Sequence, residues 1–187
     1  DAHQPTGSRL SSQYVSIVEV GGAHAHRFFN LLEFLELHTL IITDLDAAKV
    51  NNAGKLVAHK VSESTHTTNG CIKNWFGDAA IKPTDLIRKS DQEKTRGVCR
   101  LAYQVAETED APCGRSFEGA FILANPDLFA LTGTSSQARE IEAWDKAENV
   151  NKKSDFAMEY AIDKTVWIVP RYIADGLKWL AEGSRWP

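Results

Sequence analysis

Two carboxylates one residue apart, Asp44 and Asp46, close the apolar, strand-forming run Ile41-Ile42-Thr43. On one side of an extended chain such a pair can hold Mg²⁺ or Mn²⁺, because hard cations take oxygen ligands and keep waters for the substrate. The competing reading is a helix N-cap followed by a solvated acid. A third acid, Glu19, directly follows another apolar run, Tyr14-Val15-Ser16-Ile17-Val18. If the two runs are neighbouring parallel strands joined by a helix, all three carboxylates meet at one sheet edge.

Further along, Arg115-Ser116-Phe117-Glu118 sets a hydroxyl and a carboxylate two residues apart at a predicted helix start. A capping Ser with a first-turn Glu explains the same pattern. Lys152-Lys153-Ser154-Asp155 places cations beside another helix cap, where a solvated role is the commoner one. His24 and His26 resemble a metal pair, but two residues apart on a helix they face different sides, which favours capping or solvation. No G-x-S-x-G elbow, Walker A loop or G-x-G-x-x-G occurs, and no basic run carries interleaved aromatics.

These residues need elements to hold them. Tyr14 to Val20 reads as a first buried strand, followed by Gly21-Gly22 and an amphipathic helix from Ala23 to Leu37 with Phe28, Leu31, Leu32 and Leu35 on one face. Thr39 to Thr43 is a second strand, Lys55 to Val61 a third, and Val98 to Val105 a buried fourth. Helices are expected from about Asn69 to Phe76, Asp85 to Glu93, Ser116 to Asn125, Ser135 to Asn149 and from Ser154-Asp155 through Ala161. Pro170 then opens a last one. Strands and helices alternate early and helices follow, which defines an α/β class with a helical insertion or extension. The expected layout is a lead-in over 1–13, a core over 14–126, a helical insertion over 127–150 and the remainder over 151–187.

With 187 residues, 43% of them apolar, the chain has enough material for one globular core. A net charge of -4 argues against holding nucleic acid by bulk charge, although bound divalent ions would invert the local field. Cys71, Cys99 and Cys113 form no C-x-x-C pair and read as reduced thiols of a cytoplasmic protein. No apolar run approaches membrane-spanning length, so no membrane partner is expected. The first residue is not Met, and the expectation is an upstream domain.

In order, Val18-Glu19-Val20-Gly21-Gly22, Thr43-Asp44-Leu45-Asp46, Ser64-Thr65-His66-Thr67-Thr68-Asn69, Arg115-Ser116-Phe117-Glu118, Lys153-Ser154-Asp155-Phe156-Ala157 and Val169-Pro170-Arg171-Tyr172-Ile173 run through most of the chain. This series resembles the Toprim catalytic region of the OLD (overcoming lysogenization defect) family nucleases, class 2. The resemblance implies a mostly parallel Toprim sheet flanked by helices, and a metal-dependent DNA endonuclease acting through two divalent ions (Mg²⁺ or Mn²⁺, possibly Ca²⁺). It implies that Glu19, Asp44 and Asp46 hold one metal, that Ser116 and Glu118 belong to a second, and that Lys153 offsets charge on the phosphate. Glu19 is open to either ligation or general-base duty. DNA, an N-terminal ATPase domain and a second copy of the chain are the implied partners. One position departs from the pattern: Ala23 stands where many Toprim proteins carry another acid.

Two other readings keep Asp44-Leu45-Asp46 in a different role. It could be the nucleophile motif of a haloacid dehalogenase-type phosphatase, although Ala47-Ala48 and a preceding Glu-bearing run depart from that pattern. Alternatively the chain is a non-catalytic module for docking or dimerisation.

Overall fold

The computed structural model describes residues 10–150 and 152–183. A 3₁₀ segment, Gly22–Phe28, runs into α1 (Phe29–Leu35), and the chain then enters β1 (Thr39–Ile42). Strands β2 (Ala47–Val50), β3 (Leu56–Ala58) and β4 (His66–Thr67) follow, then α2 (Gly70–Phe76) and the single turn α3 (Pro83–Leu86). Strands β5 (Thr95–Arg96) and β6 (Cys99–Ala102) precede α4 (Phe117–Ala124), α5 (Ser136–Glu148), α6 (Lys153–Met158) and α7 (Arg171–Gly183).

The fold is mixed α/β, with two three-stranded sheets. In one, β1 lies parallel to β6, Ile41 opposite Leu101, and β5 adds antiparallel to β6. In the other, β2 is flanked antiparallel by β3 and β4. The expected mostly parallel sheet is thus a single parallel pair among the described residues. The cause is local: the chain turns at Asp46 straight into β2, and consecutive short strands pair antiparallel.

Tyr14 to Val20 is irregular and pairs with no strand among the described residues, so the predicted strand-helix-strand crossover is not formed there. Tyr14, Ile17 and Val18 are exposed. β-propensity states fit to a pleated surface, and pairing has to be supplied by tertiary partners. The predicted helix from Ala23 to Leu37 divides at Phe28 into 3₁₀ and α segments, and α1 has no fully buried residue. The helix expected over Asp85 to Glu93 ends after one turn at Leu86.

All four residues of β6 are buried. Leu45, Ile72, Trp75, Leu86, Leu101 and Tyr103 form the main core around the β1–β6 pair. A second core surrounds α4, where Phe121 packs against Phe117, Phe129, Phe156, Tyr160 and Trp167. Asn125, at the end of α4, donates to Ile168 O at 2.9 Å and accepts from Ile168 N, tying the 160s segment to the helix. The three cysteines are free and buried. Among the described residues no helix is long and apolar enough to cross a membrane.

Candidate active site

The C-terminal end of β1 carries the site. Asp44 follows directly on the buried Thr43, and Leu45 between the two acids is fully buried. Asp46 has φ +49°, a left-handed conformation that Asp tolerates better than most residues, so the chain stops extending there and turns into β2. The turn is held at both ends, with Asp46 N donating to Arg115 O at 3.2 Å and Thr68 N donating to Asp46 O at 3.0 Å.

Asn69 fastens this turn from the start of α2. It caps the helix by accepting from Ile72 N at 3.1 Å. Its Nδ2 donates to Thr43 Oγ1 (2.8 Å), Asp44 O (2.8 Å) and Asp46 Oδ2 (3.1 Å), two hydrogens shared among three oxygens. Thr67 adds a bond from its hydroxyl to Leu45 O at 2.6 Å. Gln104, just past β6 and fully buried, donates to Asp44 Oδ1 and accepts from Leu45 N at 2.6 Å.

The second half of the site sits at the start of α4. Gly114 makes the approach possible, because a Cβ there would lie 2.3 Å from Ala120 N. Arg115 then donates through Nε to Ala47 O at 2.9 Å, with Nη2 3.8 Å from Asp46 Oδ1. Ser116 precedes the helix without capping it; its hydroxyl donates instead to Glu118 Oε2 at 2.7 Å. Lys153, on the first turn of α6, lies 3.1 Å from Glu118 Oε1 and 3.3 Å from Oε2. Phe156, one turn along α6, anchors that helix by packing on Phe117 and Phe121.

The two halves are coupled electrostatically. Burial raises the Asp44 pKa, and the carboxylates of Asp46 and Glu118 push the same way, against the Gln104 amide and Lys153. Glu118 moves oppositely: burial works to raise it, but the Ser116 hydroxyl, its own backbone N–H and Lys153 hold it below the usual value. Crowded carboxylates of which one resists ionisation are a common mark of a functional site.

Asp44, Asp46, Ser116, Glu118 and Lys153 are therefore brought to one place. Glu19 is exposed and makes no hydrogen bond or ion pair among the described residues. His26 Nδ1 lies 2.8 Å from Ala23 O, a contact inside its own 3₁₀ segment and not a helix cap. Gln104 is a positioning residue outside every sequence motif, while Asn69 closes the Ser64-to-Asn69 segment and marks a predicted helix start.

The donors are carboxylate and hydroxyl oxygens, the set that hard divalent cations prefer. Among the described residues no three acids, histidines or cysteines close around one point. A Mg²⁺ or Mn²⁺ ion would use one or two of these carboxylates and leave other positions to water and phosphate.

Fold and site together define an α/β domain that gathers acids at the C-terminal end of a parallel strand pair. Residues 2–46, a span ending on Asp46, match the family described as overcoming lysogenization defect protein-like, TOPRIM domain. The chain is also 30% identical over 200 residues to Endonuclease GajA of Bacillus cereus (strain HuB5-5), an alignment covering 94% of this chain and 28% of that protein. Over residues 2–46 the chain is similar to the OLD-like Toprim family, and it spans only 28% of the length of the endonuclease it matches. No solved structure matches it.

Proposed function

We propose that the chain is the catalytic Toprim part of a metal-dependent DNA endonuclease of OLD class 2, working within a longer protein that also carries an ATPase domain. The observation that supports this most is the convergence of Asp44 and Asp46 from β1 with Glu118 from α4, with Lys153 set on Glu118. Similarity to a protein named as an endonuclease supports the same reading.

Two divalent ions, when bound, would stabilise the attacking and leaving oxygens of an in-line phosphodiester displacement. Asp44 and Asp46 would hold one, with Glu19 as a further ligand or as general base. Ser116 and Glu118 would hold the other. Gln104 and Asn69 fix the rotamers of the first pair, so no reorganisation is needed on binding. Lys153 has a mobile ammonium, 70% exposed at its side chain, and it can leave Glu118 to neutralise a phosphate oxygen.

The test is cleavage of supercoiled and linear DNA with Mg²⁺, Mn²⁺ or Ca²⁺. Asp44→Ala and Glu118→Ala should abolish cleavage in folded protein. Full activity in either variant would sink the two-metal assignment. Hydrolysis of a small phosphate ester without DNA cleavage would favour the phosphatase reading.

A further inference from the structure

A polar recess of about 410 Å³ opens between the turn before β5, β6 with the residues after it and the first turn of α7. Lys94, Arg100 and Arg171 reach its wall from these three places. Lys94 is 8% exposed and Arg100 7%, an unusual depth for cations. Lys94 Nζ lies 5.1 Å from the centre of the Tyr103 ring, and no carboxylate of the described residues lies at ion-pair distance from it. Arg100 Nε is buried with no hydrogen-bond partner.

Three carboxylates, Asp91, Glu109 and Asp175, also line the recess, and two of them meet its arginines. Asp91 takes Arg100 Nη2 at 2.7 Å, and Asp175 takes Arg171 Nε at 3.3 Å. Burial weakens the hold of Lys94 on its proton, and Arg100 and Arg171 add repulsion that Asp91 and Asp175 offset in part. A buried ammonium facing guanidinium groups is costly unless an anion joins them. A tetrahedral oxyanion suits the set, offering one oxygen to Lys94 and others to the arginine forks.

We propose that this recess binds a phosphate group and, resting on the nuclease reading, that the group is a DNA backbone phosphate flanking the bond to be cut. Tyr172 gives the connection. It lines the recess, and its hydroxyl accepts from Gln104 Nε2 at 3.3 Å, the same amide that holds Asp44. A strand lying across the Asp44 site would therefore pass close to the recess.

The experiment uses the chain with Lys94→Met, and Arg171→Gln as a second variant should the first fail to fold. Inorganic phosphate is titrated in a melting assay, and duplex binding is measured without divalent metal over a salt series. The expected result is that phosphate raises the wild-type melting temperature but not the variant's. Duplex affinity should fall roughly tenfold in the variant, with a salt slope smaller by about one. Equal stabilisation of wild type and variant by phosphate would overturn the site. Selective stabilisation with unchanged duplex affinity would keep the phosphate site and overturn its DNA source. Because no metal is present, a failure here is separate from a failure of Asp44→Ala to abolish cleavage.

Discussion

The side-chain amide of Gln104 donates to Asp44 Oδ1 while its carbonyl accepts from the N–H of Leu45, so one buried residue on β6's C-terminal side sets both rotamer and backbone at the end of β1. Parallel pairing of β1 and β6 makes this possible, because it brings Ile42 opposite Ala102 and carries both strand ends to one edge. Gln104→Leu keeps the volume but leaves the Leu45 N–H without a partner, at a cost of about 1–3 kcal/mol. For a chain of this size each kcal/mol lowers the melting temperature by about 2–4 °C. Thermal melts should show this loss, and metal titration of the folded variant should show weaker binding.

Lys153 links stability to activity. Its own side chain is 70% exposed but that of Glu118 is 7% exposed, so Lys153→Met leaves a buried carboxylate without its cation and should cost about 1–3 kcal/mol. Losing a cation placed to meet developing charge on a phosphate costs about a hundredfold in turnover. Single-turnover cleavage beside a melting curve checks both halves. A rate within twofold of wild type would remove Lys153 from the chemistry.

Phe156 offers an indirect test of the same group. Its ring lies 5.7 Å from Phe121 and 4.8 Å from Tyr160, centre to centre, and holds α6 against α4. Phe156→Ala should cost about 2–4 kcal/mol, toward the lower end for a half-buried ring. Cleavage should also fall at temperatures where the variant is still folded, because Lys153 loses its fixed starting point. Phe156→Leu should recover most of both.

Asp44 should show the opposite sign to a stabilising acid. Its folded-state pKa is raised, by burial first, so ionisation at neutral pH destabilises the fold, and that penalty disappears as the pH falls through the raised value. Asp44→Asn therefore should raise the melting temperature at pH 7 by about 2–4 °C, for ~1 kcal/mol, while abolishing cleavage. The gain should fade toward pH 3.8, the ordinary carboxylate value. Glu118, with its lowered pKa, contributes stability that is complete above 4.5 and lost as the pH falls through its lower folded value. Melts of wild type, Asp44→Asn and Glu118→Gln across pH 3 to 7 should diverge in this order.

The legible parts of the molecule were those whose signal is local. Thr39–Ile42 and Cys99–Ala102 are apolar runs that became the buried parallel pair, and α4 and α5 lie within a residue or two of their expected bounds. Ser116 reads as a cap by position, yet its hydroxyl faces Glu118 because a carboxylate two residues on competes with the backbone for it. Gln104 carries no motif, and the segment that ends in Asn69 does not say what its amide meets. Their roles come from β6 lying beside β1 and from α2 starting under the Asp46 turn, juxtapositions that no spacing encodes. Tyr14 to Val20 has a strand's composition and no partner, since pairing depends on an edge elsewhere in the chain.

Glu19 gives the sharpest division between folding and function. It is exposed and unbonded among the described residues, so Glu19→Gln should leave the stability within about 0.5 kcal/mol of wild type. If it joins Asp44 and Asp46 as a ligand, the substitution removes one charge from the metal and should weaken Mn²⁺ binding at least tenfold, with cleavage falling in parallel. If it is a general base instead, Mn²⁺ affinity should hold while the rate falls and loses its dependence on the base's ionisation. Calorimetric titration with Mn²⁺ and a pH–rate profile, run on the same preparation, distinguish the two. Unchanged affinity and unchanged rate together would place Glu19 outside the site and leave Asp44, Asp46 and Glu118 as its acids.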